Sequence, residues 1–235
     1  MIIVSSTGGS GSSFLADQFT ENGWAVCLRP DGGHQKATHT VGQIYHERVG
    51  PFFKSDIGDP VLQREMFDEA YSKLQRTNFN KVMLLCMTWG GLGYLNELKE
   101  EAIFLIRDPI YAFNSYSGGG WRRAGGERRI KYVGASGPND RKWIDAWLNN
   151  FSFWKSGAEN ALQAAKNKTG HLIRYHSFSE DWEKVQDALD VPPIHANFKN
   201  KDNPEKLEGY LTEDTISYIR SQTDYIWKEI EQYCA

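Results

Sequence analysis

An apolar strand pattern, a glycine- and serine-rich turn and a helical pattern follow one another within the first twenty residues. Ile2-Ile3-Val4 is a short β-branched and apolar run. Ser5-Ser6-Thr7-Gly8-Gly9-Ser10-Gly11-Ser12-Ser13 comes next, and Phe14-Leu15-Ala16-Asp17-Gln18-Phe19 has helical spacing. Glycines let backbone wrap closely around an anion, and amides at a helix start point the same way. The helix dipole adds partial positive charge there. Hydroxyls at Ser10, Ser12 and Ser13 are further donors. The nucleotide-triphosphatase pattern G-x-x-x-x-G-K-[ST] is not met, because Ser12 stands at the lysine position and Ser6 at that of the first glycine. The turn suits an anion without a lysine for a γ-phosphate. An ordinary tight strand–helix connection is the competing reading.

Short apolar runs alternate with helical patterns along the rest of the chain. Trp24–Leu28, Lys81–Met87, Ala102–Ile106 and His171–Tyr175 read as strands. The runs at 81–87 and 102–106 are nearly continuous, as in strands buried on both faces. Helical patterns cover Pro60–Asn78, Leu92–Glu100, the stretch after Asp108-Pro109, Asp140–Lys168, Glu180–Leu189 and Glu213–Gln232. Asp108 fits the N-cap and Pro109 the first helical position. The segment 118–137 is rich in Gly and Arg and reads as irregular, and Arg29–Asp59 as a long polar loop. The expectation is an α/β fold: three α/β/α layers around a central parallel sheet of four to five strands, with a phosphate-binding loop after the first. One domain spans 1–235. In such sheets ligands bind at the carboxyl ends of strands. That rim should collect the Gly8–Ser13 loop, the Met87–Gly91 turn, Arg107 and Tyr175.

Composition narrows the partners. The 235 residues are 40% hydrophobic and 24% charged, enough to fill a core. A net charge of −3 speaks against a general nucleic-acid binder. No apolar stretch approaches a membrane span. Cys27, Cys86 and Cys234 show no metal spacing, and an odd count without a signal peptide favours a reducing, cytoplasmic setting.

Two segments together resemble the sulfotransferases that use 3′-phosphoadenosine 5′-phosphosulfate (PAPS). Gly8-Gly9-Ser10-Gly11-Ser12-Ser13-Phe14-Leu15 is similar to the family's 5′-phosphosulfate loop, commonly P-K-S-G-T-T-W-L. Ile103–Tyr116 is similar to its 3′-phosphate segment, an apolar strand, then R-[DN]-P, then a serine and often a tyrosine. Arg107 and Ser115 have the family spacing. A softer match is Leu172-Ile173-Arg174-Tyr175, followed by a helix and Leu189-Asp190-Val191-Pro192. The resemblance implies PAPS as co-substrate, 3′-phosphoadenosine 5′-phosphate (PAP) as product, no metal, and a small-molecule or carbohydrate acceptor. It implies Gly8, Gly9, Ser10, Gly11, Ser12 and Ser13 at the 5′ end and Arg107 and Ser115 at the 3′-phosphate.

The chemistry of PAPS suits these residues. A guanidinium offers the 3′-phosphate a donor fork and a full charge. Seven residues, about two helical turns, separate Asp108 from Ser115 and put both on one side of a helix. Tyr175 is a candidate adenine contact, with a packed strand-end tyrosine as the alternative.

Several family features are missing. The loop lysine is replaced by Gly9. The lysine and histidine of K-T-H-x-P are absent near Met87-Thr88-Trp89, and so is the C-terminal R-K-G. Sulfonate transfer builds charge on the leaving oxygen, which a cation should stabilise. His34 and Lys36 in the long loop are the candidate catalytic residues, His34 as base and His39 next. Arg122, Arg123, Arg128, Arg129 and Lys131 form a basic cluster able to close over the 3′-phosphate, Arg122 foremost, or simply to face solvent. Trp143, Trp147, Phe151 and Trp154 share a helix face as core, with an acceptor-stacking platform as the second reading. A small-molecule kinase with a degenerate loop, and a nucleotide-binding protein of the same fold without catalysis, are the alternatives.

Overall fold

The computed structural model describes residues 2–6, 10–27, 82–87, 101–119, 123–151, 154–194, 198, 202–207 and 210–235. Among the described residues, five parallel strands form the sheet: β1 (Ile2–Ser6), β2 (Ala25–Cys27), β3 (Val82–Met87), β4 (Ala102–Ile106) and β5 (Gly170–Arg174). Their order is β2-β3-β1-β4-β5. β1 lies at the centre, with Val4 opposite Leu85 on one side and Ile103 on the other.

The continuous apolar runs have the expected cause. Ala102, Phe104 and Ile106 of β4 enter one core, and Ile103 and Leu105 the other. A period of two with both faces covered leaves no polar position in such a strand. One face carries α2 (Pro109–Ser117), α4 (Arg141–Ala146), α5 (Trp154–Lys166) and α7 (Glu213–Cys234). The other carries α1 (Ser12–Glu21) and α6 (Phe178–Ala188). These are the three layers of an α/β/α fold.

Asp108 caps α2 as its sequence suggests, accepting the Ile110 amide at 2.8 Å. Two expectations need correction. The segment 118–137 contains a regular helix, α3 (Arg123–Tyr132). Asp140–Lys168 is not one helix: α4 passes into a π-helical turn (Trp147–Phe151) before α5.

Trp143, Trp147 and Trp154 are core residues, 0–1% exposed, which removes them as an acceptor platform. Two of them also tie neighbouring elements together. Trp143 Nε1 donates to Ser117 Oγ at 2.7 Å at the end of α2, and Trp154 Nε1 donates to the Arg107 carbonyl at 3.0 Å. Buried indole N–H groups need such partners.

Helix α3 sits directly on the end of α2. A Cβ built on Gly126 would lie 2.0 Å from the Ser117 carbonyl oxygen. Backbone cannot yield as a side chain can. Gly126→Ala is therefore expected to destabilise the protein by about 1–3 kcal/mol, although alanine is the better helix former. Urea unfolding measures it; an equal or raised midpoint would contradict this packing.

The helical patterns at 60–78 and 92–100 lie outside the described residues. Among those described, no helix is long and apolar enough to cross a membrane.

Candidate functional site

The strand order fixes where a ligand would sit. From β1 the chain runs through α1 to β2 on one side of the sheet, and from β4 it runs to β5 on the other. Connections that part in this way leave a crevice at the carboxyl ends of the two strands. Here the two strands are direct neighbours, with Ser6 registered on Leu105, about 4.8 Å apart by sheet geometry. The glycine–serine loop leaves β1 at this point, and Arg107 follows β4.

Gly11 closes the loop. Its φ is +90°, a left-handed conformation that favours glycine. Its carbonyl accepts the Leu15 amide at 3.1 Å, so the first turn of α1 is formed. The amides of Ser12, Ser13 and Phe14 then have no acceptor within the helix. A side chain on Gly11 would also press on Phe198 Cε2 at 3.3 Å and Tyr175 Cε2 at 3.4 Å. Gly11→Ala is expected to cost about 1–2 kcal/mol of stability and to weaken anion binding with it. Thermal unfolding with and without inorganic pyrophosphate measures both; an unchanged pyrophosphate-induced shift would contradict the role given to this turn.

Arg107 is held on three sides. Its Nε and Nη2 both donate to Asp202 Oδ1, at 2.7 and 2.6 Å. Its guanidinium lies over the Tyr175 ring, 4.3 Å from the centroid. Its carbonyl is fixed by Trp154. The Arg107 and Asp202 side chains are only 7% and 10% exposed. Burial pushes the Asp202 carboxyl above its ordinary value, against the pull of Arg107.

Asp108 adds a second pair. While one oxygen caps α2, Oδ2 accepts from Arg220 Nη2 of α7 at 2.7 Å. Tyr111, one turn into α2, feels all four charges. Burial, Asp202 and Asp108 push its phenol up, and Arg220 and Arg107 oppose them. Among the described residues, these two guanidiniums and two carboxylates all act on the Tyr111 phenol at the mouth of β4.

Tyr175 lies just beyond β5, in a 3-10 turn (Tyr175–Ser177), and is 5% exposed. It takes the packed alternative. Phe198 meets its edge at 4.9 Å and stacks on Phe178 at 4.3 Å, while Phe14 of α1 abuts Phe198 at 5.1 Å. This aromatic wall joins the loop end to the arginine.

Of the residues expected at the site, Gly11, Arg107 and Tyr175 come together. Ser10 is buried at the loop's end. Ser12 and Ser13 begin α1. Ser115 is half-buried on α2. Gly8, Gly9, His34, Lys36, His39 and Arg122 lie outside the described residues. Of the basic cluster, Arg129 packs over the Tyr116 ring and donates to the Tyr116 carbonyl at 3.0 Å. Asp202, Arg220 and Phe198 carry no motif. Sequence offers no sign of them beyond their residue types.

No family model matches the chain, and no curated protein does. Among solved structures, a shikimate kinase from Bacteroides thetaiotaomicron aligns with 81% of this chain and 98% of its own, at 16% identity and a TM-score of 0.38. A likeness that loose does not bear on function. The described residues define a class: a parallel α/β protein with a glycine-closed turn at the start of α1 and a buried arginine where β1 and β4 end.

Proposed function

We propose that the protein binds PAPS and transfers its sulfonate to a hydroxyl or amine of a small-molecule or glycan acceptor. One observation carries this reading: Gly11 and Arg107 meet across one tyrosine ring. Tyr175 Cε2 lies 3.4 Å from where a Gly11 side chain would begin, and the same ring lies under the Arg107 guanidinium. The amides at the start of α1 suit the 5′-phosphosulfate, and the guanidinium suits the 3′-phosphate.

In the reaction the acceptor oxygen or nitrogen attacks sulfur in line. The bond from sulfur to the bridging oxygen breaks, and PAP leaves with that electron pair. The acceptor proton passes to a base, for which His34 is the candidate, and Lys36 would offset charge on the leaving oxygen. The start of α1 faces the same charge.

The Arg107–Asp202 pair favours a second reading, a small-molecule kinase whose nucleotide lacks a 3′-phosphate. Arg107 would then need no anion from the ligand.

Calorimetric titration with PAP and with ADP separates the two. Micromolar PAP binding, with ADP weaker by about tenfold or more, is expected for one 3′-phosphate contact. ADP binding tighter than PAP would favour the kinase. Transfer of labelled sulfonate to a panel of hydroxyl and amine acceptors then tests turnover. PAP binding with no transfer to any of them would favour a binding protein without catalysis.

A further inference from the structure

Arg107 is approached by an anion of the protein itself. Asp202 takes the Nε–Nη2 edge of the guanidinium, Tyr175 covers a face, and the chain behind is fixed by Trp154. The edge that Asp202 occupies is one of the two on which a phosphate can make a two-point contact. Charge points the same way. Among the described residues, Arg107 and Arg220 are already paired with Asp202 and Asp108, and Asp224 lies 3.5 Å from Arg220 as well, so neither guanidinium is without a carboxylate. A phosphate monoester brings a charge of about −1.5 to −2. Entering without displacing a carboxylate, it would leave a buried excess of negative charge. Phe198, four residues before Asp202, packs against Gly11 and the Tyr175 ring. Phe198 thus reaches the Gly11 turn, and Asp202 reaches Arg107.

We infer that Asp202 is a specificity-determining residue, the internal anion that a ligand's 3′-phosphate must displace from Arg107. A nucleotide without that phosphate binds with the Arg107–Asp202 pair intact. A nucleotide with it gains Arg107 only by opening the pair, and a dianion does so where a monoanion does not. The inference rests on the PAPS-binding reading and adds the residue that sets its selectivity.

Calorimetry on the full chain tests it, with wild type and Asp202→Asn each titrated with PAP and with adenosine 5′-monophosphate (AMP). The asparagine keeps Oδ1 as an acceptor for Arg107 and removes the charge. If the open form is about 1–10% populated, PAP should bind Asp202→Asn roughly 10- to 100-fold more tightly, with AMP unchanged within about twofold. Equal gains for both nucleotides, or no gain for PAP where wild type binds it, would overturn the role of Asp202 and leave the PAPS reading standing. PAP binding to neither protein would overturn both.

Hydrogen exchange on wild type needs no variant. The Glu205 amide donates to Asn203 Oδ1 at 2.8 Å and the Leu207 amide to the Pro204 carbonyl at 2.9 Å, just beyond Asp202. Saturating PAP should speed exchange at both. Unchanged or slower exchange would mean that Asp202 stays in place.

Discussion

Asp181→Ala should lose about 3–5 kcal/mol of unfolding free energy, more than either Gly11→Ala or Gly126→Ala. Arg174 ends β5 with a side chain 8% exposed, and Asp181 of α6 is 2% exposed. Arg174 Nη2 donates to Asp181 Oδ1 at 2.8 Å, Nε to Oδ2 at 2.9 Å, and the Arg174 amide to Oδ2 at 2.8 Å. Alanine would strand a buried guanidinium and a backbone amide together. Glu231 of α7, 3.1 Å from Nη1, remains as a partner for one corner only. The pair also ties β5 to α6, so its loss would loosen the turn that carries Tyr175. Urea unfolding with an unchanged slope measures the effect. A loss below about 1 kcal/mol would show that this network is a surface pair in effect.

Arg107→Ala should weaken PAP binding by about 100-fold or more, the cost of removing a charge-assisted two-point contact. It has a second, pH-dependent signature. Burial and Asp108 already push the Asp202 carboxyl up, and Arg107 opposes them. Without Arg107 the folded-state value rises further above the unfolded one, about 3.9. A carboxyl raised in the folded state holds its proton there, so stability is fully present below the unfolded value and is lost as pH climbs through the folded one. The variant's deficit against wild type should thus be largest at neutral pH and shrink toward pH 4. A deficit that stays constant or grows on acidification would contradict the environment given to Asp202.

The sheet is legible in the sequence because its strands are buried on both faces. A run such as Ala102–Ile106 has no polar side to disguise it, and Asp108-Pro109 marks its exit. Arg107 and the Gly11 turn can be paired from sequence because local chemistry and chain order point to one rim. Asp202 and Arg220 cannot. Each lies about a hundred residues from its partner, in stretches with no motif, and only the folded chain brings a C-terminal carboxylate onto Arg107. Helix α3 is hidden because its glycines read as a loop, whereas Gly126 is there to let backbone approach backbone. The break between α4 and α5 is hidden because the tryptophan spacing continues through the π-helical turn.

The most direct measurement is a crystal structure grown with saturating PAP. The 5′-phosphate is expected over the amides that follow Gly11 and the 3′-phosphate on the Nε–Nη2 edge of Arg107, with Asp202 moved off it. PAP bound elsewhere, or bound in the crevice with the Arg107–Asp202 pair untouched and no phosphate at Arg107, would contradict the proposed mode of binding.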